Sequence, residues 1–183
     1  MTTRMEYARQ PVARCLERME RAVDEIAEAI AGHDAPALAR RPALSSWAAV
    51  EIICHLRDIE ELFLMRFRTM LAEHEPKFLV LGEFPHDRAE WGIVDGDAMP
   101  LDPDRWAEER QYLRNETAGA LAALRRRRDE TLAFLGRLTD EQWSRGSRHV
   151  TLGRMTFADW VALVAAHDDK HLNQLRRALE GRA

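Results

Sequence analysis

Residues 12–30, VARCLERMERAVDEIAEAI, carry the clearest structural signal in the chain. Their apolar residues recur at spacings of four and three, which places them on one face of an amphipathic helix. These residues are Val12, Leu16, Met19, Val23, Ile26 and Ile30. Gly32 follows the last of them and is typical of a helix end. The stretch therefore predicts a helix that needs partners to cover its apolar face.

Three further stretches show the same period and predict three more long helices. They are predicted to run from a cap at Ser45 or Ser46 to about His74, from Pro103 to Leu135, and from Thr156 to about Glu180. Gly136 is placed to end the third helix. No pair of stretches alternates apolar and polar residues convincingly, so we expect essentially no sheet.

The connection between the second and third helices, residues 76–102, is long and contains three prolines and three glycines. Such a stretch cannot continue as a helix, and it gives the chain room to cross over the molecule. Four amphipathic helices cover their apolar faces by packing together. We therefore predict an all-α protein, one domain over residues 1–183, folded as an up-down-down-up four-helix bundle with the long crossover connection between helices 2 and 3.

Composition favours a globular protein, with 46% hydrophobic and 32% charged residues and a net charge of -4. The densest basic run, Arg125 to Arg128, is followed directly by acidic residues and suits a solvated helix face better than a nucleic-acid contact. The apolar runs are too short to span a bilayer, and the N-terminus has no signal-peptide pattern. We expect a cytoplasmic protein with neither nucleic-acid nor membrane partners. Cys15 and Cys54 show no metal or redox spacing and are predicted to be core residues.

Three of the seven histidines lie on apolar faces of predicted helices. His167 and His171 are four residues apart, so their side chains stack one turn apart on the same face. His55 lies in the apolar stripe of the second helix, between Ile52 and Ile59. His55 and His171 are each about nine residues from an end of their helix, and antiparallel packing would bring all three to nearly the same depth.

Two interpretations of these histidines compete. A single inward histidine is usually a core residue with a hydrogen-bond partner, whereas three unpaired buried imidazoles would cost about 1 to 3 kcal/mol each. Their coincidence favours a shared divalent ion, and three protein ligands leave a coordination position open, as in catalytic sites. The segment from His167 to His171 has Asp168 where zinc proteases of the His-Glu-x-x-His type have glutamate, so a protease is not predicted.

Five segments form an ordered set of motifs along the chain. They are WAAVEIICHLRDIE at 47–60, RDETL at 128–132, DEQW at 140–143, HVTLGRMT at 149–156 and HDDKHLNQL at 167–175. Together they resemble the DinB-like family of bacterial metal-binding four-helix bundle proteins. The resemblance implies one zinc or nickel ion held by His55, His167 and His171. The family often has serine directly after the tryptophan of helix 2, where this chain has Ala48, which leaves the start of that helix open.

The resemblance also implies a function. Some relatives are transferases or isomerases that use a small thiol such as bacillithiol or mycothiol. We therefore predict a divalent-metal-binding protein that acts as a metal-dependent transferase or isomerase on a small-molecule substrate, with a low-molecular-weight thiol as cofactor. The alternative is a non-catalytic metal-binding or stress-response protein acting through dimerisation. In either case a homodimer is expected.

Four further residues are candidates around the site, and none is assigned as a catalytic base. Asp58 and Asp168 are candidates to accept the second ring N–H of a ligand histidine, as carboxylates do around many metal sites. An exposed helix carboxylate is the alternative for both. Trp91 and His149 are candidates for the mouth of the site, or else they serve packing and turns.

Overall fold

The computed structural model describes residues 2–79, 87–94 and 102–183. The α-helices in these ranges are α1 (Arg4–Tyr7), α2 (Val12–Ile30), α3 (Ala35–Leu38), α4 (Ala49–Ala72), α5 (Pro103–Glu109), α6 (Thr117–Leu135), α7 (Asp140–Trp143) and α8 (Phe157–Leu179). The long helices α2, α4, α6 and α8 form a bundle in which α2 and α4 each pack against both α6 and α8. Within the described part of the chain, no helix has the length and hydropathy to cross a membrane.

The predicted third helix is interrupted, so the expectation of one helix from Pro103 to Leu135 is wrong. After α5 the chain forms a 3-10 turn at Tyr112–Arg114 before α6 begins. Gln111 has a φ of 51°, in the left-handed region that an α-helix cannot contain. Glu116 then caps α6, because its carboxylate accepts the amide N–H groups of the first turn at 3.0 and 2.6 Å.

The start of α4 also differs from the prediction, because neither Ser45 nor Ser46 caps it. The cap position is Ala48, which has no side-chain acceptor. Glu51 compensates from inside the helix, where its carboxylate accepts the Ala48 amide N–H at 2.9 Å and is paired with Arg41. The other end of α4, at Ala72, lies close to the predicted one.

A small sheet is present, and the expectation of essentially no sheet is therefore wrong. Its strands are β1 (Lys77–Phe78), β2 (Gly146–His149) and β3 (Gly153–Thr156), in the order β1-β2-β3. β1 pairs parallel with β2, and β2 pairs antiparallel with β3. The sheet packs beside the start of α8, where the Trp160 indole N–H donates to Ser147 Oγ at 2.8 Å. Strands of two to four residues are too short to show an alternating pattern.

The long connection predicted at 76–102 is described only in part. Residues 80–86 and 95–101 lie outside the described residues. The described remainder contains β1 and, at 88–92, a turn with Gly92 at a φ of 70°. In these described pieces no helix continues through the connection, as its prolines and glycines predicted.

The core forms two apolar layers along the bundle. One layer joins the end of α2 and the start of α4 to the end of α8, with Ala120 and Leu124 from α6. The other joins Met19 and the second half of α4 to the start of α8, with Leu135 from α6. The histidines lie where these layers meet, His55 in the first third of α4 and His167 and His171 near the middle of α8. A polar site is thus held between two apolar layers.

Candidate metal centre

The three histidines selected from the sequence converge in the structure. His55 projects from α4, and His167 and His171 project from successive turns of α8. Their ring centroids are 5.3 Å apart for His55 and His167, 4.6 Å for His55 and His171, and 4.3 Å for His167 and His171. One ring nitrogen from each residue lies within 4.8 Å of the other two. The packing of α4 against α8 therefore assembles the triad.

His55 and His171 of the triad are buried and His167 is half-buried, and all three imidazoles are neutral. Burial lowers the pKa of His55 and of His167 well below the usual histidine value, and repulsion from His171 lowers the pKa of both further. Burial also lowers the pKa of His171 to about 4, with Lys170 nearby adding to the effect. Neutral imidazole is the form that binds metal ions, because its lone pair is available.

The spacing between the His55 and His167 nitrogens fits a shared divalent ion. His55 Nε2 and His167 Nε2 are 3.3 Å apart. Two nitrogens bound at about 2.0 to 2.1 Å from one tetrahedral ion would be about 3.3 to 3.4 Å apart. Three imidazoles and no thiolate or carboxylate make up the described cluster, a donor set suited to zinc or nickel.

Gln174 orients one of the three rings, a role that the sequence reading missed. Its Oε1 lies 2.8 Å from His171 Nδ1 and so accepts the N–H of the neutral ring. This fixes the tautomer and directs the lone pair of Nε2 toward the other two histidines. The spacing of three residues between His171 and Gln174 on one helix could have predicted this hydrogen bond.

Asp58 does not contact a ligand histidine, so its predicted role is wrong. Its carboxylate accepts hydrogen bonds from Arg57 at 2.7 Å, Arg110 at 2.6 Å and the Tyr112 hydroxyl at 2.9 Å. Burial alone would raise the pKa of Asp58, but these donors outweigh it and lower the pKa to about 2. Asp58, which lies on α4, instead holds Arg110 and Tyr112 in the segment between α5 and α6.

Asp168 does not contact a ligand histidine either. It forms a buried ion pair with Arg128, whose two terminal nitrogens lie 2.6 and 3.1 Å from its oxygens. Glu60 also pairs with Arg128, at 2.8 Å. Burial raises the pKa of Asp168, and Arg128 opposes this shift. Residues next to one another on a helix point about 100° apart, so Asp168 faces α6 while His167 faces α4.

An open groove of about 920 Å³ leads to the triad. Its apolar wall includes Ile59, Leu62, Phe63 and Leu163, and its basic lining residues are Arg4, Arg66, Lys170 and Arg177. Among the described lining residues Asp104 is the one carboxylate. The groove is therefore apolar along its wall and positively charged, in contrast to the net charge of -4 for the whole chain.

Trp47 lies at the mouth of this groove, beside the triad. Its ring is 4.9 Å from His55 and stacks on His171 at 6.4 Å with an interplanar angle of 16°. Its indole N–H donates to Asp104 at 3.0 Å, which fixes the ring. The tryptophan was part of the first motif in the sequence, but its role at the site was not predicted.

The two residues predicted for the mouth of the site lie elsewhere. His149 is buried against Trp160, with a ring distance of 5.5 Å, and its Nδ1 accepts backbone N–H groups from the turn that follows. Trp91 lies 5.8 Å from the Lys77 ammonium. Neither is among the described residues that line the groove. Of the two alternatives for these residues, the one in which they serve packing and turns is therefore correct.

Comparisons with known proteins agree with this architecture. A family model described as the DinB superfamily matches residues 13–175. The chain belongs to the DinB superfamily. The resemblance inferred from the motifs is thereby confirmed. A comparison with curated proteins found no match.

A solved structure supports the fold of this DinB-superfamily chain. It is YfiT from Bacillus subtilis, described as "a probable metal-dependent hydrolase with an unusual four-helix bundle topology". The two share 20% sequence identity, with a TM-score of 0.74 over 94% of this chain and 89% of YfiT. At this identity the similarity establishes the fold and leaves the activity to be argued from the site.

Proposed function

We propose that this DinB-superfamily chain is a metal-dependent enzyme in which His55, His167 and His171 hold one divalent ion, zinc or nickel. The observation that carries the proposal is the convergence of three neutral imidazoles, two buried and one half-buried, in the lining of an open groove. A set of three protein ligands leaves room for a substrate at the ion. Trp47 and Gln174 hold the rings in place around it.

The residues around the site favour a small thiol as nucleophile. A divalent ion held by His55, His167 and His171 would keep a coordinating thiol deprotonated near neutral pH. Hydrolysis, the activity ascribed to YfiT, generally needs a side chain that accepts a proton from water. Asp104, the carboxylate of the described groove lining, already accepts the Trp47 indole N–H. This scarcity of bases among the described lining residues supports transfer to a thiol over hydrolysis.

The proposed reaction is substitution at carbon. The thiol sulfur attacks an electrophilic carbon of the substrate, a carbon–sulfur bond forms, and the leaving group departs with the electron pair of its bond. The thiol proton passes to solvent. The protein's own cysteines supply no competing nucleophile, since both are buried and burial raises the pKa of Cys54 to about 11.

We further propose that residues 1–183 form one domain with the up-down-down-up helix order and act as a homodimer. Two ion pairs support a parallel arrangement of α2 and α8, since Arg18 pairs with Asp169 and Glu25, further along α2, pairs with Arg176, further along α8. The apolar layer that joins the start of α4 to the end of α8 supports an antiparallel arrangement of those two helices. Sedimentation equilibrium tests the dimer.

The function is tested by thiol consumption. Protein purified without an affinity tag is assayed with glutathione, bacillithiol and mycothiol against 1-chloro-2,4-dinitrobenzene, before and after chelation and after reloading with zinc or nickel. We expect activity with at least one thiol that is lost on chelation, restored on reloading, and absent in His171→Ala. His33→Ala, which removes an exposed histidine, is the matched control and should keep full activity. Equal rates in all samples would refute the enzyme and favour the non-catalytic alternative.

A further inference from the structure

Arg66 is a buried cation with no carboxylate partner among the described residues. Its side chain lines the groove, yet the residue is 3% exposed. Its one hydrogen bond in the described part of the chain goes to the backbone carbonyl of Leu79. A buried charge is ordinarily paired with an opposite charge, because removing an ion from water is unfavourable.

Arg128, a second buried arginine, is paired with carboxylates and serves as the comparison for Arg66. It is also 3% exposed, and it contacts the carboxylates of both Asp168 and Glu60. Burial opposes the charge on Arg128, but the two carboxylates outweigh it and raise its pKa. Burial lowers the pKa of Arg66 to about 10, and no carboxylate counters the shift. Arg66 therefore stays charged at neutral pH, and the described part of the chain offers it no counter-ion like those of Arg128.

The surroundings of Arg66 hold its guanidinium beside the site. Its Cζ lies 5.9 Å from the Phe63 ring, 5.6 Å from Phe78 and 5.4 Å from Trp160. The Phe63 ring in turn lies 6.3 Å from the ring of His167. The two distances through Phe63 together place the guanidinium at most about 12 Å from His167. A small molecule is long enough to contact both.

We propose that Arg66 is the binding site for the carboxylate of the substrate, and that the groove selects small organic acids with an apolar body. The planar guanidinium matches a carboxylate in geometry and charge. Arg4, Lys170 and Arg177 add positive charge along the approach, and Ile59, Leu62 and Leu163 contact the apolar body. The inference deepens the proposed function, since the end of the acid opposite the carboxylate is the part that reaches the triad.

The test uses 4-phenylbutyrate and its uncharged amide, 4-phenylbutanamide, titrated calorimetrically into the full chain. The acid should bind at least about 10-fold more tightly than the amide, as a charged hydrogen-bonded contact predicts. Arg66→Met keeps the length of the side chain but removes the charge, and it should abolish this preference. Arg68→Met removes an exposed charge from the same helix and should leave the preference unchanged. Arg66→Met should melt at or above the wild-type temperature without ligand, because it removes a buried charge that has no carboxylate partner within the described ranges.

Chelation distinguishes a carboxylate bound by Arg66 from one bound by the metal ion. The preference for the acid should survive chelation, whereas a carboxylate that binds the ion would lose it. An acid preference that persists in Arg66→Met, or that vanishes on chelation, would overturn the proposal. If Arg66→Met fails to fold, Arg66→Gln decides the matter, because it also removes the charge while keeping a polar side chain, and it too should abolish the preference. A protein that takes up no divalent ion even when loaded would refute the proposed function and leave the acid preference intact.

Discussion

Replacing Arg128 with methionine should be among the most destabilising single changes in this protein. The guanidinium contacts Asp168 at 2.6 and 3.1 Å, Glu60 at 2.8 Å and the Met19 carbonyl at 2.6 Å. Both carboxylates are 2% exposed, so the substitution leaves two negative charges buried without a cation. Breaking a buried pair in this way costs about 3 to 5 kcal/mol. For a domain of this size that corresponds to a fall in melting temperature of about 6 to 20 °C.

The assay is urea and thermal denaturation followed by circular dichroism, with Arg125→Met as the control. Arg125 lies on the same helix in an exposed pair with Asp24, and its loss should change stability by less than about 1 kcal/mol. The deficit of Arg128→Met should shrink as the pH falls, because protonation of Asp168 removes one uncompensated charge. An Arg128→Met protein within about 1 kcal/mol of wild type would refute the inference that this network holds α6 to α4 and α8.

Three further outcomes are expected. Gln174→Ala should weaken metal binding about 10- to 100-fold without changing the melting temperature of the metal-free protein by more than a few degrees, as measured by competition with a chromophoric chelator. Protons compete with the metal ion for the imidazole nitrogens, and burial lowers the pKa of His171 to about 4. Metal affinity should therefore stay nearly constant as the pH falls through 6.5 and should drop only as pH 4 is approached. Tyr112→Phe should lower the free energy of unfolding by about 1 to 2 kcal/mol at pH 7, where Asp58 is ionised, with a smaller loss below pH 2 in the same urea titrations.

The sequence predicted the long helices and the triad because both depend on local periodicity. The stripe at 12–30 became α2 with its predicted bounds. The four-residue spacing of His167 and His171, combined with the depth of His55 on an antiparallel helix, predicted which side chains meet. The spacing of apolar residues and the rise per residue are properties of a single helix, so they can be worked out without knowing the rest of the fold.

The errors arose where the outcome depends on distant contacts. The apolar stripe runs on through Gln111, but Tyr112 is pulled into the core by its hydrogen bond to Asp58, 54 positions away, and the helix breaks there. β1 pairs with a strand that lies far along the chain, so no local pattern marks it. Asp168 was linked to the triad by its position next to His167, while its actual partner is Arg128 on another helix.

The sequence could not show, for the same reason, that Arg66 has no carboxylate partner among the described residues. On a helical period, position 66 is one more charged residue among apolar ones, and twenty-five arginines give no cause to single it out. Its burial among three aromatic rings and the lack of a described carboxylate nearby emerge only when α4, β1 and α8 are assembled. Pairing, unlike periodicity, is a property of the whole fold.

The central claim, one divalent ion held by three histidines, is tested most directly by the metal content of the protein. Untagged wild type, His33→Ala and the triple variant with alanine at 55, 167 and 171 are expressed in the same medium and measured by inductively coupled plasma mass spectrometry. We expect one zinc or nickel ion per chain in wild type and in His33→Ala, and essentially none in the triple variant. Stoichiometric metal in the triple variant, or a wild-type protein that takes up no divalent ion even when loaded, would contradict the assignment.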